Sequence, residues 1–358
     1  MRQRVIAWSP SNADALAEAI QRACATPGDV RQADNVDQAY PPFSFTNDRE
    51  AREARRVEYL AFIFDHREPL FETYRLWNDL ASRDLFVALL LFRALGHEWV
   101  RLPSNNATFW QAKHLVDRLP SSRSPLASAD DPVELRHFDR TLPGAPDRID
   151  CLPVNVLFTF LLCQYHLRRH DVTIEPGAGD HVIDAGACFG DTAIDFARAV
   201  GRSGRVYSFD VVARHLQIVR HNLEQNPDLQ NVQVHPVGLS DRSRDGHLAS
   251  RGLDPGFSVS NDCAVPLQRI DDLVDAGVVE QVDMIKMDIE GHELPALRGA
   301  ERTLRRFKPR LAISIYHHWE DYFRIPIYLN ELGLGYRFYL DNYTISDGET
   351  VLYGEAKP

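Results

Sequence analysis

From about Cys151 onward, short apolar runs recur along the chain, each closed by a glycine or an acidic residue and followed by a stretch with helical spacing. That alternation predicts a mostly parallel sheet covered on both faces. Strands are expected at Val182–Asp184, Arg205–Phe209, Val232–Pro236, Met284–Met287 and Leu311–Ile315, with helices near Thr192–Val200, Ala213–Glu224, Leu267–Ala276 and Leu294–Phe307. Val154–Leu167 reads as a helix packed before the first strand. After Pro326 a helix through Leu332 leads to Tyr336–Leu340 and Thr350–Tyr353, two apolar runs around a polar turn holding Asp347-Gly348, which predicts a C-terminal β-hairpin on the sheet edge.

The first 150 residues follow a different pattern. A short strand is expected at Arg4–Trp8, then a helix capped by Ser11 or Asn12 with Ala15, Leu16, Ala19 and Ile20 on one face. A loop with Gly28, Pro41 and Pro42 separates it from three helices at Asp48–Phe64, Glu68–Leu80 and Ser82–Leu95. In the last of these Ser82 is placed as N-cap, Asp84 complements the helix dipole and Gly96 suits the left-handed position past the end. Residues 101–150 contain six prolines and few periodic apolar runs, so they are read as a linker or a lid. The expected organisation is thus a smaller, mainly helical α/β domain over 1–150 and a larger α/β domain over 151–358.

Composition narrows the partners. With 358 residues, 44% hydrophobic and 25% charged, the chain has the profile of a folded protein of about two domains. The net charge of -11 leaves no basic footprint for nucleic acid. Cys24, Cys151, Cys163, Cys188 and Cys263 stand singly without a CxxC pair, which fits free thiols in a reducing compartment. The apolar runs Val154–Cys163 and Phe86–Leu95 are too short to cross a bilayer, and the second contains Arg93. No secretory h-region opens the chain, and a cytoplasmic location is expected. A homo-oligomer remains compatible with the sequence, which does not define the oligomeric state.

Candidate chemistry begins at His181-Val-Ile-Asp-Ala-Gly-Ala-Cys-Phe-Gly-Asp-Thr192, a buried strand, a turn with Gly186 and Gly190, and a helix start at Asp191 or Thr192. Ligands of doubly wound sheets bind at such strand ends. Glycine permits close backbone approach, so a flat cofactor is expected against Gly186, Ala187, Cys188, Phe189 and Gly190, where a Cβ would intrude. The G-x-x-x-G spacing matches neither a dinucleotide fingerprint nor a P-loop. Acids on both sides, Asp184 and Asp191, repel a pyrophosphate but suit a ligand with an ammonium and a sulfonium, as in S-adenosylmethionine. Asp210, closing the second strand, can accept ribose hydroxyls or cap the next helix. Ser240 and Asp241 are candidates for the adenine edge, or a plain turn.

Val282-Asp-Met-Ile-Lys-Met-Asp-Ile-Glu-Gly-His-Glu-Leu-Pro-Ala-Leu-Arg-Gly-Ala300 gathers Lys286, Asp288, Glu290, His292 and Glu293 around the mouth of a buried strand. With VIDAGACFGDTA, YSFD, VGLSD and KPRLAISIYH in order, the chain from about Leu152 to Tyr353 resembles the FkbM-type family of S-adenosylmethionine-dependent methyltransferases. The resemblance implies a Rossmann-like class I methyltransferase domain and O-methylation of hydroxyls on sugars, glycans or polyketide-type metabolites. Family members commonly carry Glu-Pro where this chain has Asp210-Val211, which alters the turn after the ribose position. The N-terminal 150 residues lie outside these motifs.

Methyl transfer needs alignment and a route for the acceptor's proton. Asp288 is assigned to the donor's ammonium or to the acceptor hydroxyl, and His317 is the candidate base. Glu290 and Glu293 are further candidates, or else cap and pair with the helix from Leu294; His292 and His318 are weaker ones. Lys286, one of four lysines, must snorkel or pair, with Asp288 or Glu290 on its own strand face as expected partners. Tyr165, Phe189, Tyr316 and Trp319 stack on adenine, wall the acceptor pocket or simply fill the core, and Gln164-Tyr165 is placed to fold over the donor site. No spacing matches a standard metal motif, and no metal is expected. Competing readings are transfer to nitrogen, a Rossmann-type oxidoreductase disfavoured by the missing G-x-G-x-x-G, and a catalytically silent cofactor-binding partner in a biosynthetic complex.

Overall fold

All five expected strands of the parallel sheet are present in a computed structural model that describes residues 9–25, 49–97, 99–129, 133–142, 147–169, 171–247 and 264–356. The strand expected at Arg4–Trp8, the loop with Gly28, Pro41 and Pro42, and Cys263 lie outside the described residues. The strands are β1 (His181–Ala185), β2 (Arg205–Phe209), β3 (Val232–His235), β4 (Met284–Met287) and β5 (Arg310–Ser314), running parallel in the order β5-β4-β1-β2-β3. β4 is buried throughout, and β1, β2 and β5 at every position but the first, so their apolar runs show no polar face. The chain steps outward from β1 to β3 on one side, then returns to lay down β4 and β5 on the other. Ala185 stands opposite Phe209 and Met287. The loops leaving β1 and β4 therefore start side by side at the point where the strand order reverses, the usual ligand crevice of such sheets.

The described residues form two compact units: Gln111–Ser314 with Tyr353–Ala356, and the segment up to Trp110 with Ile315–Leu352. This grouping differs from a division near residue 150. In the smaller unit the N-terminal helices Ala13–Ala25, Arg49–Asp65, Arg67–Leu76 and Leu80–Leu95 share a core with the helix Asp321–Glu331 and with β6 (Tyr336–Asn342), a proximity that sequence distance conceals. Tyr59 and Phe62 meet Trp319 edge-on at 4.8 and 5.4 Å. Arg93, buried in its helix, pairs with Asp347 at 2.7 Å, lies 4.2 Å from the Tyr322 ring centroid and donates to the Tyr316 carbonyl at 2.9 Å. A charged residue in an apolar run is thus held by a partner of opposite sign. The C-terminal hairpin is present as β6 and its neighbour β7 (Thr350–Ala356), whose last four residues belong to the larger unit. No described helix is long and apolar enough to cross a membrane.

Several expected elements are corrected. The helix expected from Ser82 begins at Leu80: Asp79 is its N-cap, accepting from the Ser82 N–H at 2.7 Å, while the buried Ser82 hydroxyl accepts from the Leu340 N–H at 2.9 Å. Gly96 takes φ +81° past its end as expected. Residues 101–150 are no bare linker, since they hold the helix Ala107–Val116 and a three-stranded antiparallel sheet of Ser122–Arg123, Arg136–Asp139 and Arg148–Cys151. The helix expected over Val154–Leu167 is short and underwound: Pro153–Asn155 passes into a π-helical turn, Val156–Leu161, before a hairpin of Leu167–Arg169 and Val172–Ile174. Leu267–Ala276 splits into a strand, Ala264–Gln268, and a helix, Ile270–Asp275. Leu294–Phe307 breaks into Glu293–Arg298 and Glu301–Phe307 because the buried Asp271 carboxylate accepts from the Arg302 and Thr303 N–H groups and starts a new helix there. Among described residues Cys24, Cys151, Cys163 and Cys188 are free thiols.

Candidate active site

The loop between β1 and the helix Asp191–Val200 is held by backbone bonds to the end of β2: the N–H groups of Gly186 and Ala187 both donate to the Phe209 carbonyl, at 2.9 and 3.0 Å. Gly186 has φ +84° and Gly190 φ +82°, with Cys188 between them at φ +46°. A Cβ on Gly186 would lie 1.8 Å from the Asp288 carbonyl oxygen, and one on Gly190 would stand 3.3 Å from Val219. This corrects the expectation that a Cβ would intrude on a cofactor. Both Cβ directions run into protein, so the glycines serve the left-handed turn and the close approach of the loop to the segment after β4.

Beneath the loop lies a buried ion pair. Lys286 of β4 and Asp184 of β1 are register partners on neighbouring strands, and their charged atoms are 3.1 Å apart with both side chains buried. The ammonium also donates to the carbonyls of Ala185 and Gly186 at 3.1 and 2.6 Å. Thr192 and Ser208 donate their hydroxyls to the same carboxylate at 2.9 to 3.2 Å. Burial works against the lysine's charge, but Asp184, then Asp288, hold its pKa above the ordinary lysine value. The partner expected on the lysine's own strand is therefore corrected to one across the sheet, set by a register that no single strand encodes. Asp191, buried at the helix start, accepts from the Thr159 hydroxyl and from Asn155 at 3.3 Å, and burial raises its pKa.

Asp210 closes β2 beside the loop. One carboxylate oxygen accepts from the Cys188 N–H at 2.9 Å and the other from Val212 at 2.8 Å, with the His215 ring nitrogen 3.3 Å from the first. The next helix starts at Ala213 after Val212, so Asp210 is not its N-cap. Phe189 is buried, with the His215 ring edge-on at 5.3 Å.

On the other side of the loop, the Asp288 N–H donates to the Ala185 carbonyl at 3.0 Å and its half-buried carboxylate accepts from the Tyr165 hydroxyl at 2.6 Å. Tyr165 is held in turn: its N–H donates to the Tyr353 hydroxyl at 3.1 Å, its ring lies 5.1 Å from the Lys286 ammonium, and its φ is +73°. The adjoining His166 meets Asp195 at 2.6 Å, which fixes this segment to the helix Asp191–Val200. Glu290 is exposed at φ +56°. The buried Glu293 accepts from the Ile289 N–H at 2.7 Å and closes the turn into its own helix, with His292 just before it. Ser240 donates its N–H to Gln268 at 3.0 Å and its hydroxyl to Asp241 at 3.3 Å. His317 and His318 belong to the smaller unit, where the Tyr316 ring lies 4.2 Å from that of His317 and the His318 N–H donates to Asp321.

The structure thus brings together Asp184, Gly186 to Thr192, Asp210 and Asp288 with Lys286 and Tyr165, which the sequence also singles out, and gives these two the partners Asp184 and Asp288. A family model described as the methyltransferase FkbM domain matches residues 184–338. These residues are similar to the FkbM methyltransferase domain. The matched stretch begins at Asp184 under the glycine loop and takes in Asp210, Lys286 and Asp288. The chain is also similar to the crystal structure of the methyltransferase FkbM from Methylobacillus flagellatus KT, at 21% identity and a TM-score of 0.53, over 84% of this chain and 62% of that one. The chain thus spans less than two thirds of that protein's length, and the likeness shows the Rossmann-like fold of class I methyltransferases. An S-adenosylmethionine-dependent methyltransferase from Aquifex aeolicus matches at 20% identity and a TM-score of 0.32, over 51% of this chain and 84% of that one. An S-adenosylmethionine-dependent O-methyltransferase from Thermotoga maritima matches at 15% and 0.33, over 52% and 62%. No curated protein matches the chain by sequence.

Proposed function

We propose that the chain transfers a methyl group from S-adenosylmethionine to a hydroxyl of a carbohydrate, glycan or secondary metabolite. The observation that carries the donor is the charge around the loop. Asp210 borders it on the β2 side and Asp288 on the β4 side, while Lys286 is buried beneath it on Asp184 and two carbonyls. A pyrophosphate placed here meets carboxylates, whereas a ligand with an ammonium and a sulfonium meets its complement. When bound, S-adenosylmethionine supplies an electrophilic methyl group. The chain's own part is to hold the ribose, which we assign to Asp210, and to take up the acceptor's proton, which we assign to Asp288. The Tyr165 hydroxyl, 2.6 Å from that carboxylate, fixes its orientation.

Incubation with methyl-labelled S-adenosylmethionine and a panel of simple glycosides, polyol metabolites and primary amines tests this reading. Label is expected in a hydroxylated acceptor, and Asp288→Asn is expected to lower that turnover by about 10² to 10⁴, the usual contribution of a positioned base. Label appearing in the amines alone, or turnover unchanged in Asp288→Asn, contradicts it.

A further inference from the structure

The helix Ala213–Gln225 carries Asn222, with Asn226 directly after its end, two poor helix formers four residues apart. Both side chains point at the strand Arg148–Cys151 of the small antiparallel sheet and act as the neighbour that this strand's free edge lacks. The Asn222 amide accepts from the Asp150 N–H at 2.7 Å and donates to the Asp150 carbonyl at 2.9 Å. Asn226 does the same for Arg148, accepting at 3.1 Å and donating at 2.7 Å. The match is geometric: one helical turn advances about 5.4 Å and two strand residues about 6.8 Å, so amides at i and i+4 meet alternate residues of a strand.

Asn222 does one thing that Asn226 does not. Its second N–H donates to the Phe189 carbonyl at 2.8 Å, inside the loop between Cys188 and Gly190, whose backbones are both left-handed. Asn222 is fully buried and uses both N–H groups. A buried carbonyl in an irregular turn needs a donor, and here the donor comes from a residue clamped to a different sheet.

We infer that Asn222 is a positioning residue of the donor site, which fixes the Phe189 peptide and couples the sheet of residues 122–151 to the loop that holds the donor. This inference rests on the proposed assignment of that loop. It acts through backbone orientation, with no contact to the donor required of the side chain itself.

The test compares Asn222→Leu with Asn226→Leu in the full chain, using S-adenosylhomocysteine as the probe. Each variant removes one pair of strand-edge bonds, and a purely structural role predicts similar losses of thermal stability and similar affinities. The inference predicts that Kd rises about 10-fold or more in Asn222→Leu, the scale of one buried carbonyl left without its donor, and less than about 3-fold in Asn226→Leu. Equal affinities in the two variants overturn it. Because Asn222→Leu can fail to fold, the unaltered protein provides a second arm. Saturation with S-adenosylhomocysteine is expected to slow hydrogen exchange of the Asp150 amide, which donates to Asn222, and unchanged exchange there overturns the coupling. Failure of the unaltered chain to bind the probe counts against the donor assignment, whereas binding with no difference between the variants counts against Asn222 alone.

Discussion

Gly186→Ala is expected to abolish S-adenosylhomocysteine binding and to lower the stability of the fold by more than about 4 kcal/mol, beyond the ordinary range of single substitutions. Two costs coincide at this residue. A left-handed backbone costs a residue with a Cβ about 1–2 kcal/mol, and φ here is +84°. The added carbon would also lie 1.8 Å from the Asp288 carbonyl oxygen, a backbone atom that cannot move aside without shifting the segment after β4. Gly190→Ala provides the scale. Its φ is nearly the same, but its Cβ would face the Val219 side chain at 3.3 Å, so the conformational cost of about 1–2 kcal/mol is expected to dominate. Urea denaturation of the two variants measures the difference. Equal losses would mean that the loop relaxes away from Asp288 freely.

Lys286→Met is expected to destabilise the chain by about 3–5 kcal/mol at neutral pH, the cost of removing one partner from a buried ion pair. The thioether fills much of the same space, so the loss comes from the Asp184 carboxylate left without its counter-charge beneath the loop and from the Gly186 carbonyl, which loses the ammonium's hydrogen bond. The pH dependence distinguishes this cause from poor packing. In the native chain the lysine's pKa is raised in the folded state, so its contribution is fully present below the unfolded value of about 10.4 and is lost as pH rises through the folded value. The variant lacks this contribution, so its deficit is largest below about pH 10 and shrinks toward more alkaline pH. Denaturation midpoints between about pH 7 and 11 measure it, and a deficit independent of pH would assign the loss to packing instead.

The sheet was legible because buried parallel strands leave continuous apolar runs, as in Val182-Ile183 and Met284-Ile285, closed by glycine or acid at the ends where ligands bind. The glycine loop, Asp210 and Asp288 are placed at these strand ends for the same reason. What escaped the sequence depends on partners far along the chain. Lys286 finds Asp184 across a strand register 102 positions distant, and Tyr165 reaches Asp288 from a segment whose left-handed backbone has no glycine to announce it. Asn222 carries no signal of its own in the sequence, since its use of a strand edge appears only once Arg148–Cys151 is in place. The same holds for residues 101–150, where strands of two to four residues interrupted by proline carry too little periodicity to be read.

Calorimetric and thermal-shift titration with S-adenosylhomocysteine, with NAD in parallel, tests the central claim most directly. At about 100 times its dissociation constant, a ligand that binds only the folded chain adds roughly 2.7 kcal/mol of stability. The account predicts that stabilisation with S-adenosylhomocysteine, its reduction in Asp210→Ala, and none with NAD. Stabilisation by NAD without S-adenosylhomocysteine would contradict the reading of Asp210 and Asp288 around the glycine loop, and with it the proposed function.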